Sequence, residues 1–112
     1  MNSKDIWVVY TVSKVLEGCG AAMDGSEYLS ADCFIPADNI QVAISQVEEF
    51  LLEKRCRLID ISKCLRYEPQ DWQDDSEESA LTKKFAEKAR QSDQPKYAVF
   101  RGIKAEDISA VI

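Results

Sequence analysis

Residues 6–16 read Ile6-Trp7-Val8-Val9-Tyr10-Thr11-Val12-Ser13-Lys14-Val15-Leu16, and the two faces of this stretch decide the fold. β-Branched and aromatic residues favour an extended chain, in which side chains alternate between faces. Ile6, Val8, Tyr10 and Val12 then share one face, and Trp7, Val9 and Thr11 share the other. A strand with a single wet face alternates apolar with polar, whereas this one is apolar on both sides. It is therefore expected to be central, or covered on both sides.

Outward from that strand, Glu17 to Gly25 is a loop of small residues ending in an Asp24-Gly25 turn signal. Residues 27–35 alternate again, with Leu29, Ala31, Cys33 and Ile35 inward and Tyr28, Ser30, Asp32 and Phe34 outward. The pair reads as an antiparallel hairpin with a long tip. Pro36 is expected to stop the second strand, and Asp38 followed by Gln41 forms a capping-box signature. Ile40, Ala43, Ile44, Val47, Phe50 and Leu51 then make one stripe of an amphipathic helix, with Lys54 and Arg55 at its cation-favouring end.

Residues 57–67 place Ile59, Ile61, Leu65 and Tyr67 on one side of a third strand, with Lys63 interrupting that face, a sign of a bulge or an edge position. Asp75 and Glu78 offer a second capping box, and Leu81, Phe85 and Ala89 mark a narrow stripe on a charged, lightly buried helix to about residue 91. Pro95 opens a last strand, Tyr97 to Ile103, and an apolar tail, residues 104–112, carries Ala105, Ile108, Val111 and Ile112. The order is β-β-α-β-α-β. This predicts one α+β domain over residues 1–112, a two-layer α/β sandwich whose four-stranded sheet is mixed, or ferredoxin-like and split if the connections are longer.

The composition agrees with a packed single domain: 46% of the 112 residues are hydrophobic, and Gly and Pro are few. No signal-peptide pattern follows Met1 and no stretch approaches the length of a membrane span, so a cytoplasmic protein is expected. The chain holds no histidine, which removes Ser-His-Asp and Cys-His catalysis, His-ligated metals and the side chain best suited to proton transfer near pH 7. Segment 18–25 lacks the Gly-Lys-Ser/Thr ending of a phosphate loop. Neither catalytic residues nor a cofactor or metal site are expected.

Cys19, Cys33, Cys56 and Cys64 show no close C-x-x-C spacing and are expected to be reduced thiols. Cys19, between Gly18 and Gly20, invites a redox reading. No Lys or Arg lies within four residues and Glu17 opposes a thiolate, so the plainer reading, a mobile hairpin tip, is preferred.

The most informative segment is Glu68 to Glu78, eleven residues with six acids and no base. The other residues hold fourteen acids against fourteen bases, so the whole net charge of −6 resides here. Such a block steers association with a basic protein partner, and Trp72 in its middle would serve as a buried anchor. The competing reading has the acids favouring a helix N-terminus while Trp72 folds back onto the sheet. Candidate partner-binding residues are Glu68, Asp71, Trp72, Asp74 and Asp75. The EF-hand spacing is not met, and nucleic-acid binding is disfavoured by the charge, although Lys54, Arg55, Arg57, Lys63 and Arg66 cluster.

A small mixed sandwich with an acidic, aromatic-bearing loop is loosely similar to bacterial toxin-neutralising immunity proteins, a group of diverse folds with no shared residue signature. The resemblance implies a non-catalytic, partner-blocking role. The expected function is thus a protein-binding or regulatory module. The alternative is a small-molecule or enzyme domain with a sheet-helix pocket lined by Tyr10, Tyr28, Tyr67 or Tyr97. The apolar strand faces and tail also predict a homodimer through the sheet or the C-terminus.

Overall fold

The computed structural model describes residues 4–19, 26–103, 106 and 108. Four strands, β1 (Asp5–Val15), β2 (Tyr28–Ala37), β3 (Cys56–Arg66) and β4 (Lys96–Ile103), form one sheet in the order β3-β1-β2-β4. Helix α1 (Ile40–Glu53) joins β2 to β3. A 3-10 turn, η1 (Pro69–Trp72), and helix α2 (Glu77–Ser92) join β3 to β4. The hairpin tip, residues 20–25, and most of the apolar tail lie outside the described residues.

The apolar opening strand is central, as its two faces require: β1 pairs with β2 on one side and β3 on the other, with Val8 and Val9 both fully buried. Every pairing among the described strands is antiparallel, which corrects the mixed sheet. The reason is where the strands dock. β2 and β3 run in the same direction, as a helical crossover favours, but β1 lies between them, so parallel neighbours never form.

The two-layer and ferredoxin-like plan is corrected as well, because the helices lie on opposite faces and make three layers. α1 packs Ala43, Val47, Phe50 and Leu51 against Trp7, Val9, Cys33, Ile35 and Cys56. α2 packs Ala86 and Ala89 against Ile6, Val8, Phe34 and Ala98. A strand apolar on both faces leaves one face wet if both helices share a side. At about 25 cal/mol per Å² of apolar surface, covering each face separately is favoured.

Local corrections have equally local causes. Pro36 does not end β2 but sits within it, opposite Ile6. Ile6 gives its carbonyl to the Tyr67 N–H on the other side, and β4 starts only at Lys96 opposite Phe34, so Pro36 has no ladder partner to satisfy. The cap of α1 is Asn39, whose side chain accepts from the Val42 N–H at 2.9 Å, rather than Asp38. Ser76, not Asp75, caps α2, accepting from the Ser79 N–H at 3.1 Å. β3 is an edge strand with two register shifts, which skip Ser62 and Ile59. Those shifts put Cys56, Leu58, Ile61 and Cys64 on the α1 face, so Ile61 parts from Leu65, which packs with the α2 cluster.

Candidate interaction face

Glu68 to Glu78 is held at both ends. After Tyr67 donates its N–H to Ile6, Pro69 occupies the first turn of η1, where its fixed φ suits a helical start, and the Asp71 N–H closes the turn onto the Glu68 carbonyl at 2.9 Å. Trp72 ends η1 half-buried and packs, with Tyr10, Leu65, Leu81 and Phe85, on the cluster under α2. Its indole Nε1 is shut from solvent without a hydrogen-bond partner among the described residues. The sequence offered Trp72 as a partner anchor or as a residue folded onto the sheet, and its indole N–H has gone inward.

Asp74 is a structural residue. Its Oδ1 accepts from the Ser76 N–H at 2.9 Å and from the Ser76 hydroxyl, setting the cap that starts α2. These bonds from Ser76 hold its carboxyl below the usual range. Asp71 and Asp75 are exposed and Glu68 is partly so, and Glu77 and Glu78 follow, exposed, in the first turn of α2. Among the described residues the ion pairs are Lys4 with Asp93, Arg66 with Asp5 and Arg90 with Glu87, so none of the six acids is paired. The face is a fixed backbone displaying unpaired carboxylates beside a half-buried indole.

A seventh acid joins it from the sheet. Asp32 stands opposite Tyr10 on the face that α2 covers and is only 4% exposed. Burial, reinforced by Glu78, pushes its carboxyl up to about 7. Burial, then Asp32 and Glu78, likewise push the Tyr10 hydroxyl up to about 12. Sequence alternation assigned Asp32 to an outer wet face. Only the placement of α2 on that face makes it a buried carboxylate, and no local signal carries that information.

The tyrosines proposed as pocket walls do not converge. Tyr97 lies on the α1 face, edge-on to Phe50 at 5.4 Å, while Tyr10 and Tyr67 belong to the α2 face. A hollow of about 330 Å³ includes Tyr28 with Lys14, Val15, Ser26 and Glu27. A larger one, about 480 Å³, opens between the end of α1 and the start of β4, and Gln46, Glu49, Glu53, Lys54, Gln94 and Lys96 line it with two apolar residues, Phe50 and Pro95. Open and mostly polar, it differs from the enclosed apolar clefts that hold small molecules. No group of three or more His, Cys, Asp or Glu side chains arranged to hold a metal occurs among the described residues. No helix among them is long and apolar enough to cross a membrane.

Comparison of the chain with protein families, with curated proteins and with solved structures finds no match.

Proposed function

We propose that this chain is a non-catalytic binding module whose η1–α2 acidic face docks a basic protein partner in the cytoplasm. The carrying observation is that six carboxylates stand without an ion pair among the described residues, on a backbone fixed by η1, by Trp72 packing and by the Asp74–Ser76 cap. Fixed charges cost less ordering on binding than charges on a flexible loop, and unpaired ones need no internal ion pair to break. A partner-blocking role of the toxin-neutralising kind is one form of this reading.

The test is a pull-down at low and high salt with the full chain and with a Glu68→Gln, Asp71→Asn, Asp75→Asn triple variant. Asp74 is left intact because it starts α2. A basic protein captured by the wild type, and lost both at high salt and with the triple variant, is the expected outcome. A partner that survives either change removes the acidic face from the proposal.

A homodimer belongs to the same proposal; of the two surfaces expected to form it, the C-terminal tail lies mostly outside the described residues. α2 covers Phe34, which stacks on Phe85 at 5.7 Å, so the sheet face is occupied. Ile40, Val42, Ile44 and Leu52 of α1 are instead between 37% and 48% exposed, and these favour self-association through α1. Light scattering of the wild type and of Ile44→Glu distinguishes them: a dimer lost in the variant supports the α1 surface, and a wild-type monomer at high concentration removes it.

A further inference from the structure

Cys19 and Cys56 are 37 residues apart in the chain, yet their sulfurs meet at 3.4 Å. The backbone brings them together. β1 ends as Leu16 donates its N–H to the Arg55 carbonyl at 2.9 Å, and Gly18, at φ 87°, turns the chain so that the Cys19 N–H returns to the Leu16 carbonyl at 3.1 Å. On the other side, Arg55 takes a left-handed φ of 61° and delivers Cys56 as the first residue of β3. A turn and a strand start, each fixed by its own hydrogen bonds, thus aim two thiols at one point. Both are free thiols.

We propose that Cys19 and Cys56 are an oxidant-sensitive pair that closes to a disulfide when the protein meets a peroxide, tying the turn after β1 to the start of β3. An S–S bond is about 2.05 Å long, so the sulfurs have little more than an ångström to travel. The two thiols take different parts. Cys19 is partly exposed and meets the oxidant, whereas Cys56 is 1% exposed and lies behind it. Burial, then the Cys19 sulfur beside it, pushes the Cys56 thiol up to about 12, so Cys56 keeps its proton.

The step balances as follows. The Cys19 sulfur, as thiolate, attacks one peroxide oxygen; the O–O bond breaks, the other oxygen leaves as hydroxide, and Cys19 becomes a sulfenic acid. The Cys56 sulfur then attacks the Cys19 sulfur, the S–O bond breaks, and the departing hydroxide takes the Cys56 proton to become water. Two electrons pass from the sulfurs to the peroxide. Cys33, fully buried with its sulfur 3.9 Å from the Thr11 hydroxyl, and Cys64 are bystanders.

Treatment of the native full chain with hydrogen peroxide tests this by intact mass and non-reducing peptide mapping. Cleavage after Lys, Arg and Glu puts the four cysteines on four separate peptides. The expected result is a monomeric product lighter by two hydrogens, about 2 Da, with the Cys19 and Cys56 peptides joined. Dithiothreitol reverses it, and Cys19→Ser abolishes it while Cys64→Ser does not. Cys19 lies on a turn, so its serine variant is expected to fold, and the mapping on the wild type needs no variant. A link that uses Cys33 or Cys64, a link between two chains, or oxygen adducts with no cross-link would each overturn the proposal.

Discussion

The two faces of this sheet are covered by helices of opposite kind. α1 reaches down with Val47, Phe50 and Leu51, large side chains that fill the space themselves. The residues α2 buries are Ser79, Thr82, Ala86 and Ala89, all small, so the helix lies close and the bulk comes up from the sheet as Ile6, Val8 and Phe34. A helix with little apolar character can therefore close a core if its contact residues are small and its partner strands large. The α1 face also stays apolar apart from its thiols, while the α2 face encloses Asp32 and the indole N–H of Trp72.

The comparison breaks most sharply if each face is changed in the direction it cannot absorb. Leu51→Ala removes a side chain 2% exposed and is expected to cost about 3 kcal/mol in a urea titration, within the range for buried leucines. On the other face the damaging change is an enlargement: Ala86→Leu, at a site 0% exposed, forces α2 off the sheet and is expected to cost about 2 kcal/mol. If Ala86→Leu is tolerated without loss, the close approach of α2 is not what closes that face.

Asp32 sharpens the comparison through pH. Its carboxyl is raised from an ordinary 3.8 to about 7 in the folded state, so the folded chain holds a proton that the unfolded chain releases. The contribution is fully present below about pH 4 and is lost as pH rises through 7. Asp32→Asn, which cannot ionise, is expected to gain on the order of 1–2 kcal/mol over the wild type at pH 8 and to show little difference at pH 4. Equal effects at both pH values would mean that Asp32 is not desolvated by α2. The smallest effect is expected at Trp72. Trp72→Phe keeps the packing and removes an N–H that has no partner, so stability should change by less than about 0.5 kcal/mol in either direction; a larger loss would reveal a partner for that N–H.

What was legible in the sequence was whatever local pattern determines. The period-2 apolarity of residues 6–16 gave a central strand, and the stripe through Val47 and Phe50 gave α1. The side of the sheet taken by α2 was not legible: of its stripe, Leu81 and Phe85 are only half-buried and Ala89 alone is fully so, while the other residues it buries, Ser79, Thr82 and Ala86, give little hydrophobic signal. With that side went the burial of Asp32 and Phe34. In the acidic segment the charge was legible, but the division of labour was not. Asp74 differs from Asp75 in reaching the Ser76 N–H and hydroxyl. The meeting of Cys19 with Cys56 depends on the pairing of β1 with β3, a long-range register that neighbouring residues do not encode.

The strand order β3-β1-β2-β4 sets a sequence of events for folding. The central pair is the one formed by strands adjacent in the chain, whereas both outer pairs are distant: Trp7 lies opposite Arg66 and Tyr28 opposite Ile103. Distant pairs cost loop-closure entropy before their contacts contribute, so the hairpin must stand before either edge can add to it. The molecule grows outward from its middle. Weakening β1–β2 contacts is therefore expected to slow refolding, whereas weakening β4 should mainly hasten unfolding, and stopped-flow measurement of the two rates separates these effects.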